Sequence, residues 1–258
     1  LSLREAICEK THGYTPEEII VSVGAKQAIC NAVLSLVDEG DEVIIPTPCW
    51  VSYSEMVKIA GGKIVFVKTA EETDYKLTAR QLQKAITERT KLLILCSPNN
   101  PTGSVYTQDE LAALVEVLKN HPNIFVIADE VYSALVYGIR HVSLASFVEL
   151  ADRLILVNGV SKTYAMTGYR IGWMACHNDE IVRACTTLQG QYLTCACLVA
   201  QRAAEAALTG SQNCIEMMRT TYAQRRMSIL SRLDEIPDIT YNPPDGAVYV
   251  FPDVSHYS

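Results

Sequence analysis

The segment NGVSKTYAMTGYR occupies residues 158–170 and lies between two short apolar segments, LILV at 154–157 and IGWMA at 171–175. Apolar segments of this length predict buried strands, so Lys162 is expected on the loop between two strands. An amine held among apolar neighbours is charged less readily than in water and becomes a nucleophile toward aldehydes. Arg170, eight residues later, offers a planar charged group that suits phosphate or carboxylate. The segment therefore indicates a Schiff-base lysine beside an anion site.

An aldehyde and a phosphate together describe pyridoxal phosphate, a cofactor that Lys162 and Arg170 are suited to bind. A lysine and an arginine near a strand end are more often solvated than catalytic, however, and on these two residues alone that alternative stays open. The rest of the chain has to decide between a cofactor site and an ordinary charged loop.

The composition is typical of a globular protein with a large core: 258 residues, 49% hydrophobic and 20% charged. Its 22 Lys and Arg and 29 Asp and Glu give a formal charge of −7 without a basic cluster, which argues against nucleic acid or an anionic membrane as a partner. No apolar run approaches the ~18 residues of a membrane span, and no signal peptide opens the sequence. We expect a soluble, non-secreted protein that is cytoplasmic or, in a plant or alga, plastidic.

The nine cysteines are odd in number and lie mostly in apolar segments, as Cys30, Cys96 and Cys185 do. Their spacing fits neither a zinc site nor a small disulfide-rich fold, so free thiols in a reducing compartment are expected. Cys195 and Cys197 can be interpreted as a metal or redox pair, but burial is the more frequent role of such cysteines. No metal is predicted.

Apolar strands alternate with helices through most of the chain. Strands are predicted at 19–23, 42–46, 63–67, 91–96 and 124–128, and helices at 1–10, 24–37, 78–88 and 107–120. This alternation predicts an α/β fold with a mostly parallel sheet and helices on both faces. Beyond residue 178 the pattern predicts helices at 178–208 and 213–234 and a final strand at 247–251. A ligand is expected at the edge of the sheet where the parallel strands end.

Polar and aromatic residues follow several of these strands. Gly24, Ala25 and Lys26 connect the first strand to a helix, whose free N–H groups attract anions; a turn without a ligand would have the same sequence. Trp50 follows the second strand, where its indole can pack in the core or form a flat surface for a planar ring. Asn100 lies in a turn-rich loop after the fourth strand, where its amide can contact a ligand or serve only the turn.

Asp129 directly follows the apolar strand 124–128, so its carboxylate is expected to be partly buried and to need a cation or a strong donor. A pyridinium nitrogen would be such a partner, and Tyr132 can present its hydroxyl to the same cavity. A plain salt bridge and a packing tyrosine would give the same pattern. Because the candidates follow different strands, one cavity at the carboxyl edge is expected to collect them.

The chain contains five motifs that one protein family shares in this order and spacing: VGAKQA (23–28), PTPCWVSYSEM (46–56), CSPNNPTGSVY (96–106), ADEVY (128–132) and NGVSKTYAMTGYRIGW (158–173). With them it resembles, nearly end to end, the class I pyridoxal phosphate-dependent aminotransferases, and among these the prokaryotic-type aspartate aminotransferases that include aspartate/prephenate aminotransferases. The resemblance implies fold type I, with a cofactor-binding large domain at 1–208, the start of a C-terminal small domain at 209–258, and a homodimer. The family's N-terminal arm and its arginine for the substrate α-carboxylate are expected to lie outside this sequence.

The resemblance also implies a role for each candidate. Lys162 would bind the cofactor aldehyde and move the substrate proton, and Asp129 would pair with the ring nitrogen. Asn100 and Tyr132 would contact the ring hydroxyl, and Trp50 would stack on the ring. The phosphate would be bound by Arg170 with Gly24, Ala25 and Lys26. Ser161 is a further cofactor-binding candidate near Gly159, which stands where some relatives have a phosphate-binding serine. Lys26, Trp50 and Asn100 would also contact the substrate. Lys26 would meet its distal carboxylate; the competing interpretation assigns Lys26 only to the phosphate.

The implied activity is transamination between aspartate or glutamate and a 2-oxo acid such as oxaloacetate or 2-oxoglutarate, with prephenate as a further acceptor. Two alternatives stay open. One keeps the cofactor but acts on aromatic or kynurenine-type substrates, or eliminates a β-substituent as carbon–sulfur lyases do. The other is a truncated or regulatory module that binds the cofactor without catalysis.

Overall fold

The computed structural model describes residues 1–11 and 13–257, and these residues form a seven-stranded sheet covered by helices on both faces. The strands are β1 (Ile19–Ser22), β2 (Glu42–Thr47), β3 (Lys63–Lys68), β4 (Thr90–Cys96), β5 (Phe125–Asp129), β6 (Leu154–Gly159) and β7 (Gly172–Ala175). The helices are α1 (Ser2–Lys10), α2 (Ala25–Leu36), α3 (Ser52–Ile59), α4 (Ala79–Ala85), α5 (Gln108–Lys119), α6 (Val160–Thr163), α7 (Asp179–Tyr192), α8 (Leu198–Thr209) and α9 (Asn213–Leu233). The α/β fold predicted from the sequence is confirmed.

The strand order across the sheet is β1-β7-β6-β5-β4-β2-β3. Neighbouring strands from β6 to β3 are parallel, whereas β7 runs antiparallel to both β6 and β1. The segment between β6 and β7 holds the four-residue helix α6 instead of a full crossover helix, which a return to a parallel strand normally requires. The start of β7 therefore lies at the edge where the parallel strands end.

Two apolar clusters cover the two faces of the sheet. Along β4, Leu92 and Ile94 point into one cluster, and Leu93 and Leu95 point into the other, as the two-residue period of a strand requires. Helices α2, α3 and α7 pack on the first face, and α1, α4, α5 and α8 pack on the second. The interior strands are thus buried on both sides, which explains their continuous apolar sequences, whereas every residue of the edge strand β3 is exposed or partly buried.

Two predictions for the C-terminal part are wrong. Segment 178–208 forms two helices instead of one, because Leu193 ends α7 with φ −136° and Thr194 follows with φ +76°, a conformation that a helix cannot continue through. The predicted strand at 247–251 does not form in the described part of the chain. Ala247 has φ +58° there, outside the β region, and the nearby isolated bridges, Gly246 to Val136 and Asp253 to Thr240, involve residues outside 247–251.

The segment after α9 is attached to the edge of the sheet by backbone hydrogen bonds. Gly246 N–H donates to the Gly103 carbonyl and Ala247 N–H to the Leu135 carbonyl, both at 2.9 Å. A small apolar cluster around Tyr132, Leu135 and Ala247 supports the same contact. The domain division at 208/209 stays a prediction. Of the helices within residues 1–11 and 13–257, none combines the length and apolarity needed to cross a bilayer.

Candidate active site

A cavity of about 220 Å³ opens at the edge where the parallel strands end. All residues predicted for the site except Gly24 line it. Its walls consist of Ala25, Lys26, Trp50, Tyr53, Cys96, Asn100, Asp129, Val131, Tyr132, Ser161, Lys162, Thr167, Arg170 and Tyr249. The topology explains this convergence, because Trp50, Asn100 and Lys162 follow β2, β4 and β6. Arg170 reaches the same edge because it precedes the antiparallel strand β7.

Asp129 is the last residue of β5 and is only 4% exposed. Burial raises the pKa of its carboxyl group to about 6, because the ionised form loses hydration. Two donors oppose this effect: the Tyr53 hydroxyl donates to Oδ2 at 2.6 Å, and the Val131 backbone N–H donates to Oδ1 at 3.3 Å. Within the described residues Asp129 has these donors but no ion-pair partner. The carboxylate is therefore suited to a cationic group in the cavity.

Tyr53 was not among the residues predicted for the site. It lies in the first turn of α3, where its N–H donates to the Trp50 carbonyl at 3.2 Å, so the two side chains lie on one side of the turn. Their rings meet edge to face with centroids 5.3 Å apart. Lys26 Nζ lies 4.9 Å from the Trp50 ring centroid, within cation–π distance. Two aromatic residues three apart were the sequence signal that could have identified Tyr53.

Tyr132 forms the opposite wall together with Tyr249. Their hydroxyl oxygens are 2.6 Å apart, and burial raises the pKa of Tyr132, which keeps its phenol protonated. Lys162 Nζ lies 5.7 Å from the Tyr132 ring centroid. Tyr249 is 117 residues from Tyr132 in sequence. No local pattern marks it as a site residue, because only the fold brings the segment after α9 to this edge.

The Arg170 side chain lies against the start of α2. Gly24 has φ +78°, a conformation that favours glycine, and a Cβ at this position would lie 2.3 Å from Nη2 of Arg170. The guanidinium group therefore lies directly against the turn. A Cβ on Gly172 would lie 2.3 Å from the backbone nitrogen of Ala25. Both glycines thus bring the first N–H groups of α2 close to a permanent positive charge, which suits phosphate or carboxylate.

Lys162 lies on the short helix α6, not on the loop predicted from the sequence. Gly159 ends β6 opposite Gly172 of β7, and a Cβ on Gly159 would lie 2.9 Å from the Ile171 carbonyl oxygen. The close approach of the two strands lets the chain enter α6 immediately after the sheet. Lys162 is thereby held on a turn of helix at the strand end.

Thr167 connects α6 to Arg170. Its hydroxyl donates to the Ser161 carbonyl at 3.0 Å, and its own carbonyl accepts from Nη1 of Arg170 at 2.8 Å. Arg170 itself has φ +58°, a left-handed conformation that is uncommon for arginine. Ser161, Thr167 and Arg170 therefore form one connected wall, of which Thr167 was not predicted.

Asn100 and its neighbour Asn99 have different roles. Asn99 Oδ1 accepts from the Thr102 N–H at 3.3 Å, and the Asn99 N–H donates to the Ser104 carbonyl at 2.9 Å, so Asn99 serves the turn. Asn100 lines the cavity. The structure thus places Asn100 where a ligand can contact it.

Comparison with known proteins agrees with this arrangement. The model of the family "Aminotransferase class I and II" matches residues 1–258. The chain belongs to this family. It is 45% identical over 260 residues to an aspartate/prephenate aminotransferase of Cereibacter sphaeroides, covering 98% of this chain and 65% of that protein. The chain therefore spans less than two thirds of the length of this curated relative.

Two solved structures of the family share the fold. The aspartate aminotransferase from Thermus thermophilus with maleate is 39% identical, has a TM-score of 0.94, and is matched over 100% of this chain and 68% of that one. An aromatic aminotransferase from Pyrococcus horikoshii is 40% identical, has a TM-score of 0.93, and is matched over 97% and 69%.

Members of the family depend on pyridoxal phosphate, and the cavity residues fit this group chemically. Lys162 offers an amine for an aldehyde, and Asp129 offers a ring nitrogen a buried carboxylate that has no ion-pair partner within residues 1–11 and 13–257. Arg170 beside the start of α2 suits the phosphate, and Trp50 offers a flat surface for the ring.

Proposed function

We propose that the protein catalyses pyridoxal phosphate-dependent transamination between an acidic amino acid and a 2-oxo acid. The observation that carries the proposal is the meeting of Lys162, Asp129 and Arg170 in one cavity. The Asp129 carboxylate is buried and forms no ion pair with any described residue, and the Arg170 guanidinium lies against the start of a helix. Each is the partner of a different part of the cofactor. Together they would fix its orientation.

The residues that would hold the cofactor are those named for it above. Lys162 would bind its aldehyde, Asp129 its ring nitrogen, and Asn100 and Tyr132 its ring hydroxyl; Trp50 would cover the ring, and Arg170, Gly24, Ala25, Lys26 and Ser161 would surround the phosphate. When bound, the cofactor supplies an electron-accepting ring that stabilises the charge left after the substrate Cα–H bond breaks.

The chain's own residues would then handle the protons. Asp129, as a carboxylate, would hold a proton on the ring nitrogen. Lys162 would take the proton from the substrate Cα and deliver it to the carbon that carried the cofactor's aldehyde, because its amine can act first as a general base and then as a general acid. Tyr132 stays protonated and would donate a hydrogen bond to an oxygen anion beside it.

Lys26 would select the substrate. Its amine lies over the Trp50 ring at the cavity wall, where it would meet the distal carboxylate of a dicarboxylic substrate. The relative from Cereibacter sphaeroides is named for aspartate and prephenate, and the Thermus thermophilus structure contains maleate, a dicarboxylate. These names support aspartate or glutamate with oxaloacetate or 2-oxoglutarate, and prephenate as a further acceptor.

The test is a spectrum followed by chemical labelling. The purified protein with pyridoxal phosphate should show a visible absorption band that aspartate shifts to shorter wavelength. Borohydride should fix the cofactor permanently, and peptide mapping should find it on Lys162. A label on another residue, or no label, rules out the proposal. A labelled Lys162 without any response to amino acids would instead support a non-catalytic cofactor-binding module.

A second candidate is transamination of aromatic amino acids. The Pyrococcus horikoshii relative is named an aromatic aminotransferase and is as similar to the chain as the Thermus thermophilus aspartate aminotransferase is. Tyr132 and Tyr249 give the cavity an aromatic wall. Turnover of aspartate, phenylalanine and kynurenine measured side by side separates the two candidates, and release of pyruvate from a β-substituted substrate would reveal elimination instead.

We also propose a homodimer, as the family resemblance implies. Apolar side chains between α7 and α8 support it, because Tyr192, Leu193, Leu198 and Val199 are 39 to 75% exposed. Sedimentation equilibrium would test it. The segment from residue 209 is proposed as the beginning of a second domain, which limited proteolysis near Gly210 would test.

A further inference from the structure

Tyr53 makes the shortest contact to Asp129 and has no role in the mechanism described so far. Its hydroxyl donates to Oδ2 of Asp129 at 2.6 Å, and Tyr53 and Asp129 are 2% and 4% exposed. A hydrogen bond to an ionised acceptor in such a site is short and strong because water does not compete for it. Removal of this donor would leave the carboxylate with one weaker donor, the Val131 N–H at 3.3 Å.

We infer that Tyr53 is a positioning residue for the proposed reaction: its hydroxyl fixes the Asp129 carboxylate in place and supports the negative charge that a cationic ring nitrogen requires. The inference rests on the proposed function. It adds a residue that acts through Asp129 without needing contact with the cofactor.

The direction of the hydrogen bond follows from the surroundings. Burial and the neighbouring Asp129 charge raise the pKa of Tyr53, so its phenol stays protonated and donates. Burial raises the pKa of Asp129, and the Tyr53 hydrogen bond is the largest effect in the opposite direction. Without Tyr53, burial would favour the protonated, neutral carboxyl group, which cannot form an ion pair.

The other ionisable groups around Asp129 do not replace Tyr53. Cys96 pairs with Asp129 across β4 and β5, but burial raises the pKa of its thiol, so it provides no charge. Glu130, next in the chain, adds a negative charge that disfavours ionisation of Asp129. The Tyr132 hydroxyl is hydrogen-bonded to the Tyr249 hydroxyl, and the Lys162 amine lies near the Tyr132 ring, so neither group is paired with Asp129. The support for the carboxylate therefore comes mainly from α3.

The geometry also explains why one helix start provides both aromatic residues. Trp50 and Tyr53 are one turn apart, so a single placement of α3 sets the indole at the cavity and the hydroxyl on the carboxylate. Movement of α3 would change both contacts together. The position of a ring stacked on Trp50 and the charge of the Asp129 carboxylate are thereby coupled through α3.

The first experiment titrates Asp129 in the protein without cofactor. Carboxyl carbons labelled with ¹³C are followed by NMR from pH 4 to pH 9, and the Asp129→Asn variant identifies the Asp129 signal. We expect Tyr53→Phe, which keeps the ring, to raise the titration midpoint of Asp129 by about one pH unit. Tyr106→Phe is the matched control, because Tyr106 is also buried and its hydroxyl accepts a hydrogen bond from the Leu77 N–H, outside the cavity. Equal midpoints in wild type and Tyr53→Phe would overturn the inference.

The second experiment measures pyridoxal phosphate affinity at two pH values. Tyr53→Phe should bind about fivefold more weakly than wild type at pH 6, where its Asp129 is mostly protonated, and within about twofold at pH 8.5. A merely structural role would weaken binding equally at both values. Site-specific 3-fluorotyrosine at position 53 keeps ring and hydroxyl but donates more strongly, so it should lower the midpoint; a midpoint that does not move contradicts the inference.

The two proposals fail in different ways. Failure of the wild type to bind the cofactor would refute the proposed function, while the titration without cofactor would still decide the effect of Tyr53 on Asp129. If the wild type binds and labels at Lys162 but Tyr53→Phe shows neither the raised midpoint nor the pH-dependent loss, only the role of Tyr53 is refuted.

Discussion

Replacement of Asp129 by Asn should stabilise the cofactor-free protein at neutral pH. The carboxylate is 4% exposed and lacks an ion-pair partner among the described residues, so its charge is unfavourable for folding until a cationic ligand binds. Asn keeps the size of the side chain. Its oxygen can accept from Val131 N–H, and its amide can donate to the Tyr53 hydroxyl.

The magnitude follows from the pKa of Asp129, which burial raises from 3.8 to about 6. At 1.36 kcal/mol per unit this corresponds to about 3 kcal/mol. The folded state binds the proton more tightly than the unfolded state, so this stabilisation is fully present below pH ~3.8 and is lost as the pH rises through about 6. Between pH 5 and pH 8 the wild type should lose about 1.4 kcal/mol that the variant keeps.

Urea unfolding of both cofactor-free proteins at pH 5, 6, 7 and 8 measures this difference. We expect the free energy of unfolding of Asp129→Asn to rise relative to the wild type along this series. Addition of pyridoxal phosphate should reverse the order, because only the wild type gains an ion pair. A difference that stays constant with pH, or changes in favour of the wild type, would refute the conclusion that Asp129 carries a destabilising buried charge in the cofactor-free protein.

Three further predictions concern other parts of the structure. Gly24→Ala should weaken pyridoxal phosphate binding at least tenfold, as ~10-fold changes follow from small displacements in a binding site. The added Cβ would lie 2.3 Å from the Arg170 guanidinium, and equilibrium dialysis measures the affinity. Gly40→Ala is the control: it has φ +94° and open space around it, so it carries the backbone strain alone and should leave binding unchanged. Lys26→Ala should lower turnover of aspartate about tenfold more than that of an apolar amino acid, and an equal loss for both would rule out a distal-carboxylate role. Arg153→Met should lower the free energy of unfolding by about 3 kcal/mol in urea, because the buried guanidinium donates to three backbone carbonyls. An unchanged urea midpoint of unfolding would show that these hydrogen bonds do not stabilise the fold.

The sequence predicted the sheet well because its interior strands are buried on both faces. Continuous apolar segments such as 91–96 and 124–128 can hardly form anything else at that length, and the structure has β4 and β5 there. The antiparallel direction of β7 was not predicted, since a strand's direction depends on its connection and its neighbours. The short segment 160–171 before it was the available signal.

The prediction of the cavity succeeded where a polar residue directly follows a strand. Asp129 and Lys162 are placed by strand ends, so the topology alone brings them together. Tyr53 was missed because α3 was not predicted, although Tyr53, Met56 and Val57 have the spacing of a buried helix face. Tyr249 could not be found in this way, because its position depends on how the segment after α9 packs on Gly103.

Gly159 and Gly172 let the backbone at the start of α2 be positioned independently of the side chain at position 26. Backbone packing, not side chains, determines where α2 begins, since Gly172 contacts the main chain of Gly24 and Ala25. The exposed side chain at position 26 can therefore vary while the neighbouring amide groups keep their places. A substitution at position 26 should therefore change the side chain presented to a ligand without moving the backbone at the start of α2.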